Sequence, residues 1–245
     1  MRDGLPGLLM VDTITLSVPA VDVLSDQLDL DVRQYPFEIP RLGESPQERD
    51  RVVRGVHQEL AAAGLGSSGR PEPEVEDALY LLSSSEISVA AAGLLDVRTG
   101  HRLAARVVAT GEVGVVGLID ARGLRMSFMS PDDVAGMCAD LLPNAPAGAG
   151  ESVRADATRR ESEEFRALGA ITARPKFRIG HYFVSSARRR GGTRQPGLTW
   201  FDNDLGRYAM LAEPAASGDL LVCGPADKQH IAGQLGDLLD GARSV

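Results

Sequence analysis

Aromatic residues are scarce in this chain: 1 Trp, 4 Tyr and 6 Phe among 245 residues, 4% of the total. Core volume therefore has to come from Val, Leu, Ile and Ala, and the length suffices for one large or two small domains. Lysine is scarcer still, since only Lys176 and Lys228 stand among the 26 basic residues. The formal net charge of −8 argues against a general binder of nucleic acid or membrane surfaces. Cys138 and Cys223 are the only cysteines, and without CxxC spacing they supply neither a disulfide framework nor a metal knuckle. Apolar neighbours on both sides make them buried small hydrophobes. No run of eighteen apolar residues occurs, and the first residues, MRDGLPGLLMVDTITLSV, lack the apolar stretch and cleavage site of a signal peptide. A reduced, cytoplasmic setting is expected.

Catalytic signatures are missing as well. HExxH, GxSxG, the GxxxxGK[ST] phosphate loop and GxGxxG do not occur. His57, His101, His181 and His230 have no histidine partner one helical turn away. GLGSSG at 64–69 follows a helix pattern, not a strand, and reads as a loop. Asp202, Asn203, Asp204 and Gly206 lack the twelfth-position Glu of a calcium loop and fit a hairpin turn better. No enzyme, cofactor or metal site is expected. An enzyme without a sequence motif stays open as a third reading, to be sought as a deep polar pocket with two convergent titratable groups.

What is present is a pattern of strands and helices. Thr13–Val18 alternates as a strand, and Pro19 opens a helix with Val21, Leu24 and Leu28 at helical spacing. Val32–Phe37 reads as a second extended run. Ser45, Pro46 and Glu48 spell a capping box before a helix that stops near Gly64. A short helix over 74–82 precedes four strand-like runs, 86–92, 103–110, 112–120 and 124–129, and a helix from Ser130 on. Asn144–Gly150 reads as a linker. A charged helix over 151–168 then leads to strands at 178–185, 198–202, 207–212 and 219–223 and a helix begun by Gly224–Asp227. A shift of 94 residues lays Ser130–Asp133 on Gly224–Asp227 and Met137 on Ile231. The expectation is an α+β fold: an antiparallel sheet with flanking helices, built as a pseudo-two-fold repeat of a β-meander-plus-helix unit over 13–143 and 151–241.

One segment departs from the acidic whole. Between Phe165 and Phe201 stand eight basic residues and no acid, among them Arg188, Arg189 and Arg190. Phosphate contacts with Tyr182, Phe183 or Trp200 as stacking groups would make a nucleic-acid-binding regulator, the alternative reading. Those aromatics alternate with apolar neighbours, as core residues do, and the arginines fall where a hairpin must turn. A surface turn or a protein contact accounts for them better.

The order of these segments resembles that of the EspG family of type VII (ESX) secretion-associated proteins. ITLSV before Pro19, ISVAAAGLL with RLAARVVATGEVGVVGLID, and HYFVSSARRR with GLTWFDNDLGRY carry the resemblance, from about residue 13 to 240. It implies a cytosolic, non-enzymatic chaperone or adaptor that keeps a helical secretion client soluble before export. By resemblance the client-facing parts are the loop Asp96–Arg102, with Asp96, Val97, Arg98, His101 and Arg102, and the 151–168 helix, with Arg159 and Phe165. The equivalent tip of the second half adds Arg188, Arg189 and Arg190. The loop is short, and the stretch between Pro143 and Arg178 holds a single helix. The expected client is accordingly a PE–PPE-like heterodimer or a smaller protein of the WXG type. Neither nucleic acid nor membrane is expected as a partner, and a homodimer is left open.

Overall fold

A computed structural model describes residues 13–187, 197–215 and 218–244. Among the described residues, six α-helices accompany a ten-stranded sheet whose strand order is β1-β7-β6-β5-β4-β9-β10-β11-β12-β8. The strands are β1 (Ile14–Leu16), β4 (Ile87–Asp96), β5 (His101–Thr110), β6 (Val113–Asp120), β7 (Gly123–Met129), β8 (Val153–Asp156), β9 (Arg178–Ser186), β10 (Gly197–Asn203), β11 (Gly206–Ala215) and β12 (Gly218–Pro225). β5–β6–β7 and β9–β10–β11–β12 are antiparallel meanders, and β1 and β8 pair antiparallel with β7 and β12 at the two edges. This is the expected α+β class with an antiparallel sheet and flanking helices. The chain divides into two compact units, one comprising 13–90 with Ala104–Val134, the other Ala91–Leu103 with 135–244.

In the first unit, α1 (Val18–Gln27), α2 (Pro46–Ala63) and α3 (Pro73–Ser83) share one core with the strands. Leu16, Leu24, Leu79, Val115 and Leu124, all fully buried, form the centre of that core with Met126. α1 begins on Ser17, whose hydroxyl accepts from the Ala20 amide, and Pro19 lies in the first turn. α2 carries the complete capping box: Ser45 Oγ accepts from the Glu48 amide at 3.3 Å, and Glu48 Oε2 accepts from the Ser45 amide at 3.2 Å. The stretch from Gly64 on, read as a loop, contains a miniature hairpin of β2 (Gly66–Ser67) and β3 (Arg70–Pro71). Its turn residues Ser68 and Gly69 have φ of 50° and 79°, the positive pair that tight hairpins favour.

The expected extended run Val32–Phe37 forms no strand. Its backbone instead drops Val32, Phe37 and Ile39 into the core as separate plugs. Pro36 and Pro40 each lack the N–H a strand would donate, so the segment is held by side chains. Buried Asp22 in α1 does much of this. Its carboxylate accepts from Arg33 and Arg49 and, at 3.1 Å, from the Leu42 amide, while Asp26 takes a second bond from Arg49 at 2.7 Å.

In the second unit the expected helix over 151–168 is replaced by two elements. Val153–Asp156 forms β8, with Ala155 turned inward and Arg154 outward and paired to Glu213. Asp156 Oδ1 then accepts from the Thr158 amide and hydroxyl, a local bond that ends the strand in a turn. The helix α5 (Glu163–Thr172) starts only after Ser162, whose hydroxyl accepts from the Phe165 amide at 3.1 Å. α5 covers a small cluster of Ala155, Leu168, Phe201, Tyr208 and Cys223, with Phe165 packed half-buried against it. α4 (Val134–Asp140) follows a 3-10 turn at Pro131–Asp133, and α6 (Lys228–Arg243) is capped by Asp227. The Tyr182 hydroxyl donates to the Cys138 carbonyl at 2.7 Å. Asn144–Gly150 is packed along β11: the amides of Gly148 and Ala149 donate to the carbonyls of Arg207 and Leu205, and the Arg207 amide to Pro146.

Candidate partner-binding surface

β4 and β5 are joined by only four residues, Val97–Gly100, all exposed. The turn is built by its first neighbour. Asp96 Oδ1 accepts from the amides of Arg98 at 2.8 Å and Thr99 at 3.1 Å. These backbone donors, Thr99 first, hold the Asp96 carboxyl below the usual aspartate range. Gly100 sits at φ 71°, where an L-residue would be strained. The turn thus presents Val97, Arg98, His101 and Arg102 outward, and Val97 is 42% exposed.

This turn is fastened to the segment between α5 and β9. The Val97 amide donates to the Phe177 carbonyl at 2.9 Å, and the Phe177 amide donates to the Asp202 carbonyl at 2.8 Å. Arg178 Nε donates to the Leu95 carbonyl at 3.1 Å, and its Nη1 lies 3.1 Å from Asp202 Oδ2. Asp202 is in turn gripped by Arg207, which is fully buried and donates from Nε at 2.7 Å and Nη2 at 2.9 Å. Arg207 Nη2 also reaches the Pro143 carbonyl, and its guanidinium lies over the Trp200 ring at 5.4 Å. Where β4 meets β9, a Cβ on Gly93 would stand 2.4 Å from the Ile179 carbonyl oxygen, so only glycine permits the approach. These bonds leave Phe177 with its ring held out to solvent, 56% exposed, next to Val97. An apolar surface of this kind with a cationic surround suits protein contact.

The residues expected to face a client are therefore not all brought together. Asp96, Val97, Arg98, His101 and Arg102 share one turn. Arg159 is exposed in the bend before α5, and Phe165 faces inward to the α5 cluster. Arg188, Arg189 and Arg190 lie outside the described residues. Phe177 had no place in the sequence reading; an exposed aromatic directly before a strand carries no local signal of its own.

Among the described residues, the groups that a nucleic-acid site would need are committed elsewhere. Tyr182 and Trp200 are fully buried, and the Phe183 ring lies tilted against His181 with ring centroids 4.1 Å apart. His181 Nδ1 is 2.7 Å from Thr199 Oγ1, and burial pushes its pKa down. Arg174 pairs with Asp204, Lys176 donates to the Thr172 carbonyl, Arg178 holds Asp202, and Arg166 donates to the Glu161 carbonyl. Both cysteines are free and buried. Burial pushes the Cys223 thiol up to about 11 and Cys138 higher still. A shallow, open depression of about 450 Å³ is lined by Asn144, Ala145, Pro146, Asp227, Lys228 and Gln229. Its charges are internally paired: Lys228 is 3.2 Å from Asp140, and Asp227 is 2.7 Å from His230 Nδ1. Among the described residues no cluster of three His, Cys, Asp or Glu could hold a metal, and no helix is long and apolar enough to cross a membrane.

The fold and surface together define an α+β protein with a small, rigidly presented apolar ledge. A family model described as the EspG family matches residues 17–237, and the chain belongs to that family. In three dimensions the chain is similar to the Mycobacterium tuberculosis type VII secretion system chaperone EspG5, solved in complex with a PE25–PPE41 dimer. The TM-score is 0.67 at 15% sequence identity, over 93% of this chain and 96% of that one. No curated protein matches the sequence.

Proposed function

We propose that the chain is a non-enzymatic chaperone or adaptor of a type VII secretion system, binding a PE–PPE-like heterodimer and keeping it soluble in the cytoplasm before export. The observation that carries this reading is the match to the EspG family over nearly the whole chain, coupled to a fold shared with a chaperone solved on a PE–PPE dimer. The physical requirement is modest. Such a protein needs an exposed apolar surface on a stable body, and capping a client's apolar end lowers the concentration of its aggregation-prone form by mass action. The ledge at Val97 and Phe177 meets that requirement. A WXG-type client is the second candidate, favoured by the four-residue turn and by α5 standing alone between Pro143 and Arg178. Each half of the chain carries a four-strand meander followed by a helix, β4–β7 with α4 and β9–β12 with α6, which supports descent from a duplicated unit. The nucleic-acid alternative is weakened by the commitment of Arg166, Arg174, Lys176 and Arg178 to acceptors within the protein.

Co-expression with PE–PPE heterodimers and WXG-type proteins of the source cell, followed by size-exclusion chromatography, tests the reading. Co-elution with a PE–PPE pair is expected. Recovery of the chain alone in every combination would overturn it.

A further inference from the structure

We propose that the outer face of α3, with Tyr80 and the adjoining Tyr35 turn, is a second docking surface, and that its partner is an arginine-bearing segment of a protein other than the client. α3 buries Val75, Ala78, Leu79 and Leu82 and turns Glu76, Asp77 and Tyr80 outward. Tyr80 follows the two carboxylates by four and three residues, so the three share one stretch of helix surface. Tyr80 is 56% and Tyr35 57% exposed, two large rings in the same unit.

Their backbones are held together. Gln34 Nε2 donates at 2.6 Å to the carbonyl of Ser83, the last residue of α3, and the Gln34 carbonyl accepts from the Phe37 amide to close the turn that carries Tyr35. From below, Arg106 Nη1 donates to the Tyr35 carbonyl at 2.9 Å and Nη2 to the Ser88 hydroxyl at 2.8 Å. Arg106 is only 6% exposed, and both of these acceptors are neutral. Burying a guanidinium on neutral acceptors costs stability, and here it fixes the backbone of an exposed tyrosine.

The surrounding charge sets the sign of the partner. From 71 to 97 the chain has no basic residue. Glu74, Glu76 and Asp77 are exposed, and among the described residues their side chains have no partner. Elsewhere in the unit, Asp22, Asp26, Glu48 and Glu59 are bonded to arginines or to groups at helix starts. The helix dipole favours Glu74 and Glu76 in the first turn of α3 but gives no reason for an exposed ring at 80. Arginine satisfies both features at once: its plane stacks on a tyrosine while its N–H groups reach a neighbouring carboxylate.

The test uses the full chain and a labelled synthetic peptide in which arginine alternates with leucine, read by fluorescence anisotropy. Peptides with lysine or glutamate in place of arginine are run beside it. The arginine peptide is expected to bind about threefold tighter than the lysine peptide, and the glutamate peptide not to bind. Tyr80→Ala changes no charge and is expected to weaken binding about fivefold without lowering the melting temperature. Glu76→Gln with Asp77→Asn is expected to weaken it by a similar factor and to flatten its salt dependence. Both variants are expected to hold a PE–PPE heterodimer as the wild type does. Equal affinity of wild type and Tyr80→Ala for the arginine peptide would reduce the attraction to diffuse charge and overturn the proposal, as would binding of the glutamate peptide. Loss of the heterodimer in Tyr80→Ala would make this face part of the client site and overturn it as a second surface.

Discussion

Among the described residues each of the two units holds one buried carboxylate, and they use it differently. In the first, Asp22 is fully buried between Arg33 and Arg49, whose side chains keep 31% and 19% of their exposure. That cluster ties an irregular, proline-rich segment onto α1. In the second, Asp202 lies between Arg207, with no exposed side-chain area, and Arg178, which reaches out to β4 and the Val97–Phe177 ledge. Charge follows the same division. Leu9–Ala90 with Ala104–Val134 carries nineteen acidic against nine basic residues, and the remainder fifteen against seventeen. The first unit is an acidic body built for stability around a continuous aliphatic core. The second spends equivalent ion pairing on presenting a surface.

The largest effect that would break this contrast is expected at Asp202. Its removal in Asp202→Ala strands the buried Arg207 guanidinium, a loss of about 3–5 kcal/mol in urea unfolding. Asp22→Ala should cost less, about 1–3 kcal/mol, because Arg33 and Arg49 can turn toward water while the Leu42 amide loses its acceptor. Equal losses at the two sites would erase the distinction. Ser45→Ala removes half of the α2 capping box and is expected to lower stability by about 1 kcal/mol, with client affinity unchanged since the box belongs to the first unit. The smallest effect is at the turn. The Asp96 carboxylate is favoured in the folded state, so its help to the turn is fully present above the unfolded aspartate pKa of about 3.9 and fades as pH falls through the lower folded value. Backbone amide resonances of Arg98 and Thr99 should titrate with a midpoint below about 3.9, and in Asp96→Asn they should not titrate at all.

How far the sequence discloses all this depends on the range of the interaction concerned. The α2 capping box was legible because Ser45, Pro46 and Glu48 act on each other within one turn. The meanders were legible because their alternation runs for seven residues or more. β8 was hidden: four residues in a charged run give too short an alternation to compete with the helical spacing of the acids and arginines after it. Val32–Phe37 failed the opposite way, since a strand-like composition was used to plug a core with no strand beside it to pair with. At the candidate surface, the turn 96–102 was visible as a turn, and its interest came from family resemblance. Phe177 was not visible, and Arg178 was visible only as one of the basic residues of the 165–201 segment, because their partners Val97, Leu95 and Asp202 stand far along the chain and only the pairing of strands brings them together.

The central claim is that this EspG-family chain holds a secretion client. The most direct measurement is size-exclusion chromatography with light scattering on the purified chain mixed with a PE–PPE heterodimer of its source cell. A single species whose mass contains the chain and the heterodimer is the expected result; two peaks with the separate masses would contradict it.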